Sequence, residues 1–244
     1  MTIRYIHHSC FIIEDKECIF VFDYYKGKLP VFNKNKKIII FSSHRHSDHF
    51  NINIFQMASI YPEIYYILSD DICLSPDYKV FEKEIQRIKD KIFFVHENRT
   101  YEFDVHGKPL KIETLNSTDE GVSFILQWQG KTIYHAGDLN WWSWKGESDE
   151  DYYDMTERFK KEIDKIKDRT FDIAFLVLDP RQKERYWWGF DYYMKNVNIK
   201  RVFPMHFWMK YEIINELKKN LCSKSYLDKI VTIRYEGETF NLKD

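Results

Sequence analysis

The sequence predicts an α/β fold in which two sheets pack face to face with helices outside. Short apolar runs of strand character dominate the first half of the 244 residues. Strand patterns alternate with helical ones in the second half, and no internal repeat of roughly 20 to 50 residues recurs, which sets solenoids aside. With 44% hydrophobic and 18% aromatic residues, residues 1–244 suit one large layered domain with a substantial core.

The elements follow in chain order. Met1-Thr2-Ile3-Arg4-Tyr5-Ile6-His7-His8 reads as a strand. Cys10-Phe11-Ile12-Ile13 and Cys18-Ile19-Phe20-Val21-Phe22 are apolar runs separated by the polar turn Glu14-Asp15-Lys16-Glu17. Ile38-Ile39-Ile40-Phe41 is apolar throughout and predicts a strand buried on both faces. Residues 51–59 suggest a short helix, and Tyr65-Tyr66-Ile67-Leu68 and Ile92-Phe93-Phe94-Val95 two more strands. Strands are then expected at 111–115, 122–129 and 132–135, the last two joined at Gln129-Gly130. In 150–168, Met155, Phe159, Ile163 and Ile166 recur every three or four residues, the mark of an amphipathic helix. Beyond it the pattern predicts a strand at 171–178, a helix at 190–197, a short strand at Arg201-Val202-Phe203, a helix at 212–221 and a closing strand at 230–234.

Composition excludes several function classes. Charged residues make up 31%, yet the formal net charge is -1, without the basic excess of a general nucleic-acid binder. With 8 Gly and 6 Pro there is no low-complexity region or flexible linker. No run approaches the ~18 apolar residues of a membrane span, so no membrane partner is expected. The opening lacks the apolar region of a signal peptide. The 4 cysteines, Cys10, Cys18, Cys73 and Cys222, form no CxxC pair and read as core or subsurface residues, so the expected compartment is the cytoplasm.

The chemistry concentrates in His44-Arg45-His46-Ser47-Asp48-His49, directly after the buried run ending at Phe41. In an extended segment residues 44, 46 and 48 point the same way, so two imidazoles and a carboxylate converge from one loop, and His49 follows as the chain turns. This mixed nitrogen and oxygen set suits zinc and related borderline ions. A bound divalent ion acidifies water to a pKa of about 7 and polarises a carbonyl or phosphoryl oxygen. Asp48 is placed both to ligate the ion and to orient the attacking water, making it the candidate catalytic residue.

HxHxDH after a buried strand resembles the signature of the metallo-β-lactamase fold hydrolases, and the likeness extends over most of the chain. Asp23, after Ile19-Phe20-Val21-Phe22, matches that family's early aspartate, which supports the metal loop. Tyr134-His135-Ala136-Gly137-Asp138 matches its strand-end Gly-Asp motif, whose carboxylate bridges two metals, and Phe203-Pro204-Met205-His206 its last histidine ligand. Ile6-His7-His8-Ser9-Cys10-Phe11 is similar to the opening strand of the lactonase-like and uncharacterised hydrolase branch. The resemblance implies a four-layer αββα sandwich and one or two divalent ions, zinc first, with manganese or iron as alternatives. It implies the ligands His44, His46, Asp48, His49, Asp138 and His206.

One departure stands out: the family's further histidine between the two motifs has no counterpart in Asn116-Ser117-Thr118-Asp119-Glu120-Gly121. The first site would keep His44, His46 and Asp138, completed by water, Asp119 or a hydroxyl. A single ion or a weak first site follows. The implied reaction is hydrolysis of an ester, lactone, thioester or phosphodiester in a small-molecule substrate. A nuclease of the RNA-processing branch is disfavoured by the near-neutral charge. The alternative is a degenerate domain that binds metal or ligand without turnover.

Weaker candidates surround these residues. His8 reads either as a group beside the metal, supporting it or moving protons, or as a satisfied strand histidine. His135 reads as structural. Trp141, Trp142, Trp144 and Trp208 adjoin two ligand loops and are candidate walls of a substrate pocket. Arg181 either clamps an anionic substrate group or pairs with Asp179.

Overall fold

The structure, a computed structural model, describes residues 1–74, Tyr78 and residues 80–242. The first sheet starts with β1 (Thr2–His7), β2 (Cys10–Glu14), β3 (Cys18–Phe22), β4 (Lys37–Ser42), β5 (Ile64–Ser69) and β6 (Ile92–Val95). The second holds β7 (Thr100–Val105), β8 (Lys108–Asn116), β9 (Val122–Trp128), β10 (Lys131–His135), β12 (Ile173–Val177) and β14 (Val202–Met205). Between these last, β11 (Thr170–Phe171) and β13 (Asn198–Ile199) form a small parallel ribbon, and β15 (Thr239–Asn241) returns to the first sheet beside β1. The orders are β15-β1-β2-β3-β4-β5-β6 and β14-β12-β10-β9-β8-β7.

Period-two alternation explains why the early strands are apolar throughout. Phe20 and Phe22 of β3 and Ile39 and Phe41 of β4 face the core shared by the two sheets. Ile19, Val21, Ile38 and Ile40 face outward, onto Ile54 and Phe55 of the 3-10 helix Ile52–Ser59 and Ile85 of α1 (Glu82–Gln86). Aromatic rings bridge the sheets, Phe11 to Phe175 at 4.4 Å and Phe41 to Phe124 at 5.2 Å between centroids. Each such side chain taken from water contributes about 1.5–3 kcal/mol. On the far face of the second sheet lie α2 (Asp149–Asp164), which buries Phe159 and Ile163, and α3 (Trp188–Asn196); α4 (Glu212–Lys219) joins the same cluster through Ile213, Ile214 and Leu217. The result is the expected αββα sandwich. No helix among the described residues is long and apolar enough to cross a membrane. The cysteines are unpaired, Cys10 and Cys18 buried and the other two half-buried.

Several expectations need correction. The segment 171–178 is not one strand: it breaks at Asp172, whose carboxylate accepts from Thr132 N at 2.8 Å and Lys200 Nζ at 2.9 Å. The helix expected to Asp168 ends at Asp164, although Ile166 still packs in the core. Residues 230–234 do not close the chain as a strand. Only Ile230 bridges, to Val202, before Arg234 turns back onto Glu238, and β15 takes the edge against β1 instead. Strand β7 was not anticipated; its alternation buries Val105 and half-buries Tyr101 and Phe103, while Thr100, Glu102 and Asp104 lie exposed.

The catalytic candidates gather at one end of the sandwich. The 44–49 loop leaves β4, Asp138 follows β10, Asp179 follows β12 and His206 follows β14, where β10, β12 and β14 run parallel. Parallel strands deliver their C-terminal ends to one edge, so residues far apart in sequence meet there.

Candidate metal centre

The 44–49 loop is anchored from beneath by Asp23, a fully buried carboxylate at φ 45. Asp23 accepts from Ser43 N and Ser43 Oγ, each at 2.7 Å, and from His49 Nδ1 at 2.8 Å. Ser43 Oγ, its proton given to Asp23, accepts from His44 Nδ1 at 3.0 Å. On the other side Asp179 accepts from His206 Nδ1 at 3.0 Å. Each imidazole contact occupies Nδ1 and leaves Nε2 to face the centre, the usual preparation of a metal-binding histidine.

Those Nε2 atoms converge, joined by that of His8. Nε2 of His8, His44, His49 and His206, and Oδ1 of Asp138, are buried with no hydrogen-bond partner among the described residues. Asp138 turns one oxygen to each side. Oδ2 lies 3.7 Å from His44 Nε2, while Oδ1 lies 3.2 Å from His49 Nε2 and 3.5 Å from His206 Nε2. Two ligands each about 2.05 Å from one tetrahedral ion stand about 3.4 Å apart, so these separations fit shared cations. Donor atoms fall into two groups, each with every atom within 4.8 Å of the others. One is His44, His46, Asp119 and Asp138; the other is His8, Asp48, His49 and His206. Asp119 thus stands where the third histidine is absent, with Oδ2 3.6 Å from His46 Nδ1. His46 is at the rim, its side chain 40% exposed, and Arg45 is tied to Glu120 by two bonds of 2.8 and 2.9 Å.

Burial alone would raise the Asp138 carboxyl, but His206 and His49 outweigh it and hold Asp138 well below the usual carboxylate range. Asp48 is likewise held ionised against its burial by His8, His49 and His206. Burial pushes His8 down to about 4 and His44 to about 3. For His206 the carboxylates Asp138 and Asp179 overcome burial and lift it to about 9. That folded value lies above the ordinary 6.5. In ion-free protein its stabilisation is therefore fully present below 6.5 and lost as pH rises through about 9. We expect the urea midpoint of chelated protein to fall over that window, and His206→Gln to flatten the fall. A midpoint that is level or rising there contradicts the charged pair.

Around the centre, the indoles divide. Trp208 lies 4.5 Å from the His8 ring, 37% exposed, and Trp142 meets His206 edge-on at 5.6 Å while donating to Asp138 O at 2.9 Å. Trp144 stacks on Trp142 at 6.1 Å. Trp141 turns away and leaves the pocket: its indole donates to Thr156 Oγ1 and packs on Phe159 and Trp188 under α2 and α3. Arg181 pairs with Asp179 through Nε and Nη2 and lies 4.6 Å over the Trp208 ring. His135 is structural, paired with Ser9 O at 3.0 Å and stacked on Phe22. Ser43 escaped the sequence reading, although its place directly before HxHxDH was a usable signal.

A family profile described as the beta-lactamase superfamily domain matches residues 2–145. Among solved structures the chain resembles Igni18, a novel metallo hydrolase from the hyperthermophilic archaeon Ignicoccus hospitalis. Identity is 18%, TM-score 0.66, and 99% of each chain is covered. Human tRNase Z, short form, aligns at 12% identity and TM-score 0.56 over 100% of each chain. The isothiocyanate hydrolase from Delia radicum gut bacteria aligns at 14% identity and TM-score 0.51 over 99% of each. At such identities the likeness carries the fold and not the substrate. No curated protein matches.

Proposed function

The chain belongs to the β-lactamase superfamily, and from that premise we propose that it is a metal-dependent hydrolase with a two-ion centre. His44, His46, Asp119 and Asp138 hold the first ion, and Asp48, His49, Asp138 and His206 the second. The observation that carries this is the convergence of buried Nε2 atoms without partners around Asp138. An unpaired buried polar group costs about 1–3 kcal/mol, and shared cations relieve several at once. The donor set suits zinc first, then manganese or iron. With two imidazoles and a half-exposed His46, the first site is the weaker.

A bound ion supplies Lewis acidity to a substrate carbonyl or phosphoryl oxygen and acidifies water. The chain's own residues do the rest. Asp48, a quarter exposed, reaches from the buried centre to solvent and orients the attacking water. Trp208 and Trp142 form apolar walls for a cyclic or apolar substrate portion. Arg181, largely engaged by Asp179, adds positive potential for an anionic end. The substrate is a small molecule with an ester, lactone, thioester or phosphodiester bond.

The test is a panel of chromogenic esters, lactones, thioesters and phosphodiesters, assayed with zinc-, manganese- or iron-loaded protein. Turnover of at least one, abolished by chelator and restored by the ion, is expected. Two bound ions without turnover of any would favour a binding domain that has lost catalysis. On the substrate found, Trp208→Ala should raise KM about tenfold, equivalent to ~1.4 kcal/mol, with kcat little changed. Trp141→Phe should leave both as they are; the reverse pattern would move the pocket to the other side of the loop.

A further inference from the structure

We propose that His8 is itself a ligand of the second ion, which is then held by three imidazoles while the first has two. This rests on the two-ion centre proposed above and goes beyond it by assigning a ligand outside the HxHxDH, Gly-Asp and terminal histidine motifs. His8 occupies the tight turn between β1 and β2, where His7 pairs with Cys10 across the hairpin. Its φ is 55, in the left-handed region that glycine or asparagine occupies more readily, at a cost of about 1–3 kcal/mol. The turn is nonetheless locked in place. His8 N donates to Tyr5 OH at 2.9 Å, and His206 N donates to His8 O at 3.3 Å.

The lock aims the side chain inward. His8 is 1% exposed, and its ring centroid lies 4.0 Å from that of His206 and 5.8 Å from that of His49. Its Nε2 has no hydrogen-bond partner among the described residues. The nearest carboxylate oxygen, Asp48 Oδ2, is 3.4 Å away. That is longer than an ordinary N–H···O bond of roughly 2.7–3.2 Å, and it is the separation of two donors on one ion. Imidazole, carboxylate and two further imidazoles thus surround one space.

The consequence is a pair of unlike sites. Three imidazoles make the second site nitrogen-rich and selective for borderline ions, whereas Asp119 makes the first more oxygen-rich and more tolerant of harder ones.

The experiment uses the full chain, stripped of ions and titrated with Co²⁺. Ions per chain are counted by elemental analysis, affinity by chelator competition, and geometry by the visible Co²⁺ absorption. His8→Asn and His8→Gly both tolerate the left-handed turn, so folding is not the obstacle. Wild-type protein should take up two ions. Both variants should bind one of them as before and the other at least as much weaker as the roughly 10–100-fold seen on losing an outer-shell partner, with an altered spectrum. Added imidazole should restore that spectrum in His8→Gly. Wild-type affinity and spectrum in both variants would overturn the assignment while leaving the centre standing, and a fall in turnover alone would then make His8 a proton carrier. A wild-type chain that binds no divalent ion would overturn the centre and this inference together.

Discussion

Asp138→Ala should cost the protein its first ion and loosen the second, whereas His96→Ala should bind both as the wild type does. The asymmetry follows from placement. Asp138 is 4% exposed and turns its two oxygens to opposite donor groups, Oδ2 toward His44 and Oδ1 toward His49 and His206. No other carboxylate faces both groups at such distances among the described residues. Alanine removes a ligand from each site and the negative charge that offsets two cations. His96, by contrast, pairs with Asp70 at 2.8 Å on the exposed surface. Elemental analysis after dialysis reads the result, with circular dichroism confirming that the variant folds. Two ions retained in Asp138→Ala would mean that the centre is assigned to the wrong residues. Asp138→Asn keeps the shape but halves the donor oxygens, so it should bind metal between the two extremes.

What the sequence revealed and what it hid divide along a physical line. Strands buried on both faces, such as β3 and β4, were legible because each residue is apolar for its own reason, one parity facing the sheet core and the other the helical layer. The 44–49 loop was legible because its candidate ligands lie within six residues. In the sequence Asp179 shows only as a nearby partner for Arg181. That it also holds His206 depends on a contact across 27 residues, which no local pattern encodes. His8 was ambiguous because strand alternation alone does not say where a side chain points once φ becomes positive in the turn. Trp141 and Trp142 lie in a stretch without regular structure, so no periodicity decides which faces the centre. The closing strand was misplaced because 230–234 has strand composition but meets β14 at a single residue pair.

Gly121→Ala should destabilise the protein far more than Gly130→Ala, although both glycines have positive φ, 67 and 74. A β-carbon on Gly130 would have nothing within 4 Å, so only the left-handed conformation acts there, about 1–2 kcal/mol. On Gly121 it would lie 2.0 Å from Ser43 O and 2.6 Å from His44 Cβ. Ser43 O is a backbone atom that already accepts from Val122 N at 2.9 Å, and it cannot swing aside as a long side chain would. The loop before β9 and the 43–49 loop must therefore separate, which adds about 1–3 kcal/mol of overpacking. For a chain of this size each kcal/mol is worth roughly 2–4 °C, so Gly121→Ala should lose about 5–15 °C and Gly130→Ala only a few. The same displacement acts first on His44, moving it away from Asp138 and Asp119, so Gly121→Ala should also weaken the first ion more than the second, whose Asp48 and His49 lie farther along the loop. Thermal unfolding and Co²⁺ titration of the two variants side by side test both statements. Equal losses of stability would show that conformation rather than contact makes Gly121 necessary, and an unweakened first ion would show that this loop does not set His44.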